Sequence, residues 1–268
     1  MTGFSSSLPT RAQSAIAATI SPTKPTTFSA RGFLLAVVTS KNNATHSCGT
    51  AGWAQIGSNV NSGASFTASL WKAEETAAAP TFTWTGAAAC SAMVAYYNDP
   101  QNVVDSVVGA VTSNFGNTAT HTTSAITTAR NGSLVVYVDV AAANTAIDTP
   151  SGWSERIDTG SATDNGRTTF GDKDVPTSGS SSGAISVTGA NADWVQWQVE
   201  IMGQAPANGF ETSKAEVGAW YEPDTGFTTS KVEVGAWYEP PTGFSISKIE
   251  VGSWLDAIPK RRRLLVIN

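Results

Sequence analysis

Two stretches about one hundred residues apart read as copies of one another, and this duplication limits the fold more than any other feature. Gly32-Phe-Leu-Leu-Ala-Val-Val-Thr-Ser40 matches Gly132-Ser-Leu-Val-Val-Tyr-Val-Asp-Val140. Twenty residues after each opening glycine stands a Gly-Trp pair, Gly52-Trp53 and Gly152-Trp153. Leu70-Trp71-Lys72-Ala73 is then answered by Phe170-Gly171-Asp172-Lys173, and Phe82-Thr-Trp-Thr-Gly86 by Ile185-Ser-Val-Thr-Gly189. Each half closes on an alternating segment, Ala92, Val94 and Tyr96 in the first and Val195, Trp197, Val199 and Ile201 in the second. The offsets drift from 100 to 103, as short turn insertions would make them. No stretch has helical period. Roughly five strands per half between Ser, Gly and Asn turns predict an all-β, antiparallel two-sheet sandwich of jelly-roll type with an internal duplication. Trp53 and Trp153 are expected to be buried in related positions.

Composition agrees with that class. Charged residues are 14% of the 268, well under the roughly 25% usual for a globular protein. Nine Trp and ten Phe supply apolar anchors, which a disordered chain would lack. A net charge of −5 argues against a dedicated nucleic-acid binder, which would carry a basic stripe. No apolar run approaches the ~18 residues of a membrane span. The opening segment, 1–27, is rich in Ser, Thr and Pro, and its apolar patch Ala15–Ile20 is too short for a signal-peptide core. Synthesis and folding in a reducing cytoplasm are therefore expected. Cys48 and Cys90 form neither a disulfide framework nor a zinc pattern and are expected as small, buried or semi-buried thiols.

The chain divides near residue 205, at the breaker-rich Gly203-Gln204-Ala205-Pro206-Ala207-Asn208-Gly209. Residues 1–204 are assigned to the sandwich and 205–268 to a C-terminal arm. Three copies in the arm, opening at Gly209, Gly226 and Gly243, follow a period of 17 and share Ser-Lys-x-Glu-Val-Gly-(Ala/Ser)-Trp. Period-2 alternation makes each a half-buried strand, with Ala215, Val217, Ala219 and Tyr221 on one face of the first and Trp220 on the other. Three such strands bury too little to stand alone and need a surface to pack on. Trp220, Tyr221, Trp237, Tyr238, Trp254 and Leu255 are the expected assembly contacts, on other subunits or in a seam made by three chains. Lys260-Arg-Arg-Arg263 is read as a solvated basic run, and Leu264-Leu-Val-Ile267 as a segment that could add to a neighbour's sheet edge.

The succession Gly-(Phe/Ser)-Leu-Leu/Val, Gly-Trp, Lys-Ala-Glu-Glu, Phe-Thr-Trp-Thr-Gly and Val-Ala-Tyr-Tyr, over about residues 30–203, resembles jelly-roll domains of minor tail and other virion proteins of tailed bacteriophages. Those domains are similar to concanavalin-type lectin sandwiches. The copies Lys-Val-Glu-Val-Gly-Ala-Trp-Tyr-Glu-Pro are similar to short Trp-containing repeats that end some phage tail proteins. The resemblance implies a virion component that contacts a host-surface glycan, is carried as a homo-oligomer (a trimer is the guess), and attaches to other virion proteins through residues 205–268. The matched positions are scaffold positions, so no family binding residue is carried over.

The sequence shows no convergent catalytic set. Glu74-Glu75 would point to opposite faces of a strand, and His46 and His121 have no acid nearby in sequence to orient them. Neither a Gly-x-Ser-x-Gly elbow nor a phosphate loop occurs. Asp158, Asp164, Asp172 and Asp174 raise calcium, but no Asp-x-Asp-x-Asp-Gly loop is present and Lys173 interrupts the last pair. No enzyme activity and no cofactor are expected. Trp197 alternates with valines and is assigned to the core. Trp194 shares its strand face with Gln196, Gln198 and Glu200, the arrangement on which a sugar ring could stack and hydrogen-bond. The expectation is a structural or adhesion protein of a phage particle at a tail or fibre position. A capsid decoration or head fibre, and a free carbohydrate-binding module or polysaccharide hydrolase, are the alternatives.

Overall fold

A computed structural model describes residues 3–4, 9–26, 32–98 and 108–202, all within the first of the chain's two units, Met1–Asn208. The predicted repeat arm, with Trp220, Tyr221, Trp237, Tyr238, Trp254 and Leu255, lies outside the described residues.

Fourteen strands and no helix make up the described part. The first sheet is built from β1 (Gly3–Phe4), β2 (Thr10–Ile20), β3 (Gly32–Ser40), β4 (Ser47–Cys48), β5 (Trp53–Ser62), β6 (Phe66–Glu74) and β7 (Phe82–Asn98). The second half supplies β8 (Val108–Gly116), β9 (Thr120–Thr123), β10 (Ser133–Ala141), β11 (Ser154–Ser161), β12 (Gly166–Val175), β13 (Ile185–Thr188) and β14 (Trp194–Ile201). The first sheet runs β1-β7-β3-β6-β5, with β2 and β4 also on β7; the second runs β8-β14-β10-β12-β11. All pairings are antiparallel, and the two orders correspond strand for strand. Each sheet is thus made by one contiguous half, and the predicted two-sheet antiparallel sandwich is present.

Why these segments form central strands follows from their composition. β3 and β10 are near-continuous runs of Leu, Val and aromatic residues, buried on both faces. Phe33, Leu35, Val37, Leu70, Met93, Ala95 and Tyr97 pack between the sheets against Leu134, Val136, Val138, Phe170, Trp197, Val199 and Ile201. Each large apolar side chain there contributes about 1.5–3 kcal/mol by leaving water. Trp197 lies in this core as expected.

The ladders fix how the halves correspond. Val37 stands opposite Leu70 and Met93, and Val138 opposite Phe170 and Trp197. Inward residues Phe33, Leu35 and Val37 therefore match Leu134, Val136 and Val138. The sequence alignment, which set Gly32 on Gly132, is one residue out, and such a slip exchanges the faces of a strand. The closing segments carry the same correction: Ala92, Val94 and Tyr96 face outward, whereas Val195, Trp197, Val199 and Ile201 face the core.

The two Gly-Trp pairs do correspond. Trp53 N–H donates to Thr50 O and Trp153 N–H to Pro150 O, closing turns whose glycines, Gly52 and Gly152, have φ of 88° and 79°. This is the left-handed position that a type II turn gives to glycine. Both indoles then pack on the outer face of their own sheet. Trp53 is buried, with its indole N–H on Ala78 O at 2.9 Å, but Trp153 is only half-buried, a correction to the expected burial.

Candidate functional site

Each sheet also carries a covering layer on its outer face, and the two histidines sit in these layers. In the first half the start of β7 bends over the sheet with β4, placing Phe82 and Trp84 on Trp53, Trp71 and Tyr96. In the second half the same role falls to β13 and β9, paired as a separate two-stranded sheet over Tyr137, Ala141 and Trp194. His46 lies one step before the Ser47–Thr83 rung, edge-on to Trp84 at 5.4 Å. His121 lies opposite Val187, in the rung matching Trp84 when Ile185 is set on Phe82.

His46 is held neutral by a hydrogen-bond chain of one direction. Asn42 donates to Thr85 O and Gly86 O, which leaves its carbonyl to accept from the Ser40 hydroxyl at 2.6 Å. Ser40 must then accept from His46 Nε2 at 2.7 Å, so Nδ1 accepts from Ser69, whose oxygen takes the Trp71 indole N–H. Burial pushes His46 down to about 4.

His121 has a carboxyl partner instead. Its Nδ1 lies 3.0 Å from Asp139 Oδ1, with both side chains fully buried, and Nε2 lies 3.3 Å from Ala190 O. Gln196 donates to Asp139 Oδ2 at 2.7 Å and accepts from Thr123 of the cover. Burial raises the Asp139 carboxyl above the ordinary range, with the His121 and Gln196 bonds pulling it back. Asp139 escaped the sequence reading. Its signal was present, an acid inside the unbroken apolar run of β10, where a charge needs a partner.

The face expected to meet a glycan is closed. Trp194, Gln196, Gln198 and Glu200 do share one face of β14, but Trp194 is 2% exposed and the other three have no exposure. Stacked rings of His121 and Trp194, 4.7 Å apart, fill the space in which a sugar would lie. Gln198 binds Ser182, Ser124 O and Gly183 O, and the Glu200 carboxylate takes the Ser133 hydroxyl and the Ala110 and Ala129 N–H groups. The amides therefore fasten the covering layer to the sheet. An open Trp194, Gln196, Gln198 surface is corrected on that ground.

Beyond the covering layer, Trp153 and Lys173 are only half-buried. Trp153 meets Tyr137 edge-on at 5.4 Å, and Lys173 Nζ lies 5.9 Å from the Trp153 ring while donating to Ser182 O. Tyr137 packs where a Cβ on Gly171 would stand and has its phenol raised by burial, then by Glu155, Asp139 and Asp158. Exposed Thr149 and Glu155, bonded to each other, lie at its margin. This is a half-buried Trp153 standing on a fully buried Tyr137, beside hydroxyl, ammonium and carboxylate groups.

The four aspartates considered for calcium are not gathered. Asp158 is paired with Arg167, Asp164 with Arg11, and Asp172 with Arg156. Among the described residues, no group of three His, Cys, Asp or Glu could hold a metal ion. Glu74 ends β6 and Glu75 follows in the turn, accepting the Gly32 N–H. Cys90 is buried and raised to about 11 by burial first; Cys48 is half-buried. No family model, no curated protein and no solved structure matches the chain.

Proposed function

We infer that the chain is a non-enzymatic structural and adhesion component of a tailed-bacteriophage particle, at a minor tail or fibre position. The sandwich is the host-surface module, and residues 205–268 attach it to the virion. One observation carries the non-catalytic part of this reading: the buried ionisable groups are committed to structural partners. His46 is tied to Ser40 and Ser69, His121 to Asp139, Asp164 to Arg11, Asp172 to Arg156 and Glu200 to Ser133. A general acid or base has to reach a substrate proton, and none of these groups is aimed at an open surface. The rim around Trp153 supports adhesion, since an aromatic face beside hydroxyl and carboxylate groups suits a sugar ring. It replaces the closed Trp194 face as the place of contact.

Incorporation and binding test the reading separately. Full-length protein should be found in purified phage particles by mass spectrometry, and Trp237→Ala in the central repeat should lower its copy number. Binding to host-cell polysaccharide should fall at least tenfold in Trp153→Ala. Turnover of that polysaccharide, lost on Glu155→Gln, would instead favour the hydrolase alternative, because Glu155 is the exposed acid of the rim.

A further inference from the structure

We propose that β8 is the contact through which two copies of the chain join, extending the second sheet across a two-fold axis at Ser113. The proposal goes beyond the virion role and does not rest on it. β8 closes one side of its sheet and pairs only with β14 among the described residues, so a row of backbone donors and acceptors faces outward. Such edges add further strands unless something blocks them.

Other edges are blocked. β11 carries Glu155, Arg156 and Asp158 and is bulged between Glu155 and Ile157. β5 is bulged between Ile56 and Val60, with Gly57 at φ 68°. β2 bears Arg11 and two register shifts. β8 has no charge and no proline from Val108 to Gly116, and its ladder to β14 is unbroken from Val111 to Gly116.

Its exposed side chains select the occupant. Of the three exposed large hydrophobic residues described, two are on β8: Val111 at 40% and Phe115 at 54%. They point to the same face and lie equally far from Ser113. Antiparallel pairing about Ser113 sets Val111 of each copy opposite Phe115 of the other, the β-branched–aromatic pair that favours cross-strand contact. Thr112 then meets Asn114 with no like charges opposed, and the free part of the edge ends at Ala110 and Gly116, whose N–H and carbonyl are bonded to Glu200 and Ser62. An arrangement that is its own complement calls for a second copy, since isologous contacts require that self-matching.

Sedimentation velocity of the full-length chain over a concentration series tests the contact. Phe115→Lys should weaken one association step at least tenfold, and any oligomer made through residues 209–268 should persist. Val111→Glu combined with Phe115→Lys should restore the step, because each Glu then faces a Lys of the other copy. In a Cys48→Ser background, mild oxidation should link Ser113→Cys into a covalent dimer far faster than Asn114→Cys. Self-association unchanged by Phe115→Lys, or cross-linking no better at 113 than at 114, would overturn the proposal.

Discussion

His46 and His121 occupy matching places in the two halves, although the chain reaches them from opposite sides. His46 follows β3 and precedes β4, whereas His121 belongs to β9, before β10. Each joins its covering layer to the outer face of its sheet, yet their surroundings differ: two serine hydroxyls for His46, a carboxylate for His121. One is kept neutral by its neighbours. The other is bonded to a buried carboxyl group.

The His46 environment makes stability depend on pH. The folded value is near 4 against 6.5 for a free imidazole, so between them the unfolded chain binds the proton and the folded chain does not. This contribution is complete above pH 6.5, falls as pH drops towards 4, and then levels off. The loss is about 3 kcal/mol. Urea unfolding at several pH values should show it, and the difference in pH slope between wild type and His46→Gln isolates it from other carboxyl groups.

Asp139→Ala should cost about 3–5 kcal/mol, because it strands His121 and Gln196 in the interior. The matching position in β3 is Val38, an outward apolar residue. The double variant His121→Leu, Asp139→Val should consequently recover much of the loss. Thermal unfolding of the two singles and the double gives the coupling energy.

Arg11 ties the first half to the second, with its guanidinium on the Asp164 carboxylate and on Thr159 O and Gly166 O. Arg11→Met keeps the stem and removes the charge, leaving the buried Asp164 without its ion-pair partner. The expected cost is about 2 kcal/mol or more, read from denaturant midpoints, with Asp164→Asn in the Arg11→Met chain returning part of it.

The matched turns separate backbone strain from contact. Gly152→Ala meets no atom within 4 Å, so its cost of about 1 kcal/mol reflects the left-handed φ alone. Gly52→Ala adds a 3.2 Å approach to Ala77 Cβ and should cost more. Equal losses would show that Ala77 moves aside freely.

The duplicated pattern made the strand inventory and the correspondence of the Gly-Trp turns legible, because turn glycines and apolar runs are local signals. Face assignment failed at β3 and β10 for a physical reason. Both faces of these strands are buried, so alternation is absent and a one-residue slip leaves no trace in the sequence. The Trp194 surface failed differently. Polar alternation along β14 reads as solvent-facing, and nothing local announces that β9 and β13, about seventy and ten residues away, will return to cover it. Pairing of Asp139 with His121 depends on the same return.

Each sheet draws its strands from one half alone, and this bears on how the protein is made. No ladder among the described residues joins the first half to the second. A ribosome that has released residues up to Asn98 has thus already delivered every described strand of one complete sheet. That sheet can zip up while the remainder is still being synthesised. What it then lacks is an opposite wall for its apolar face, so the nascent first half is a docking template awaiting its twin. Synthesis in two separate pieces, 1–98 and 99–268, would require the pieces only to find each other, without exchanging any of the described strands.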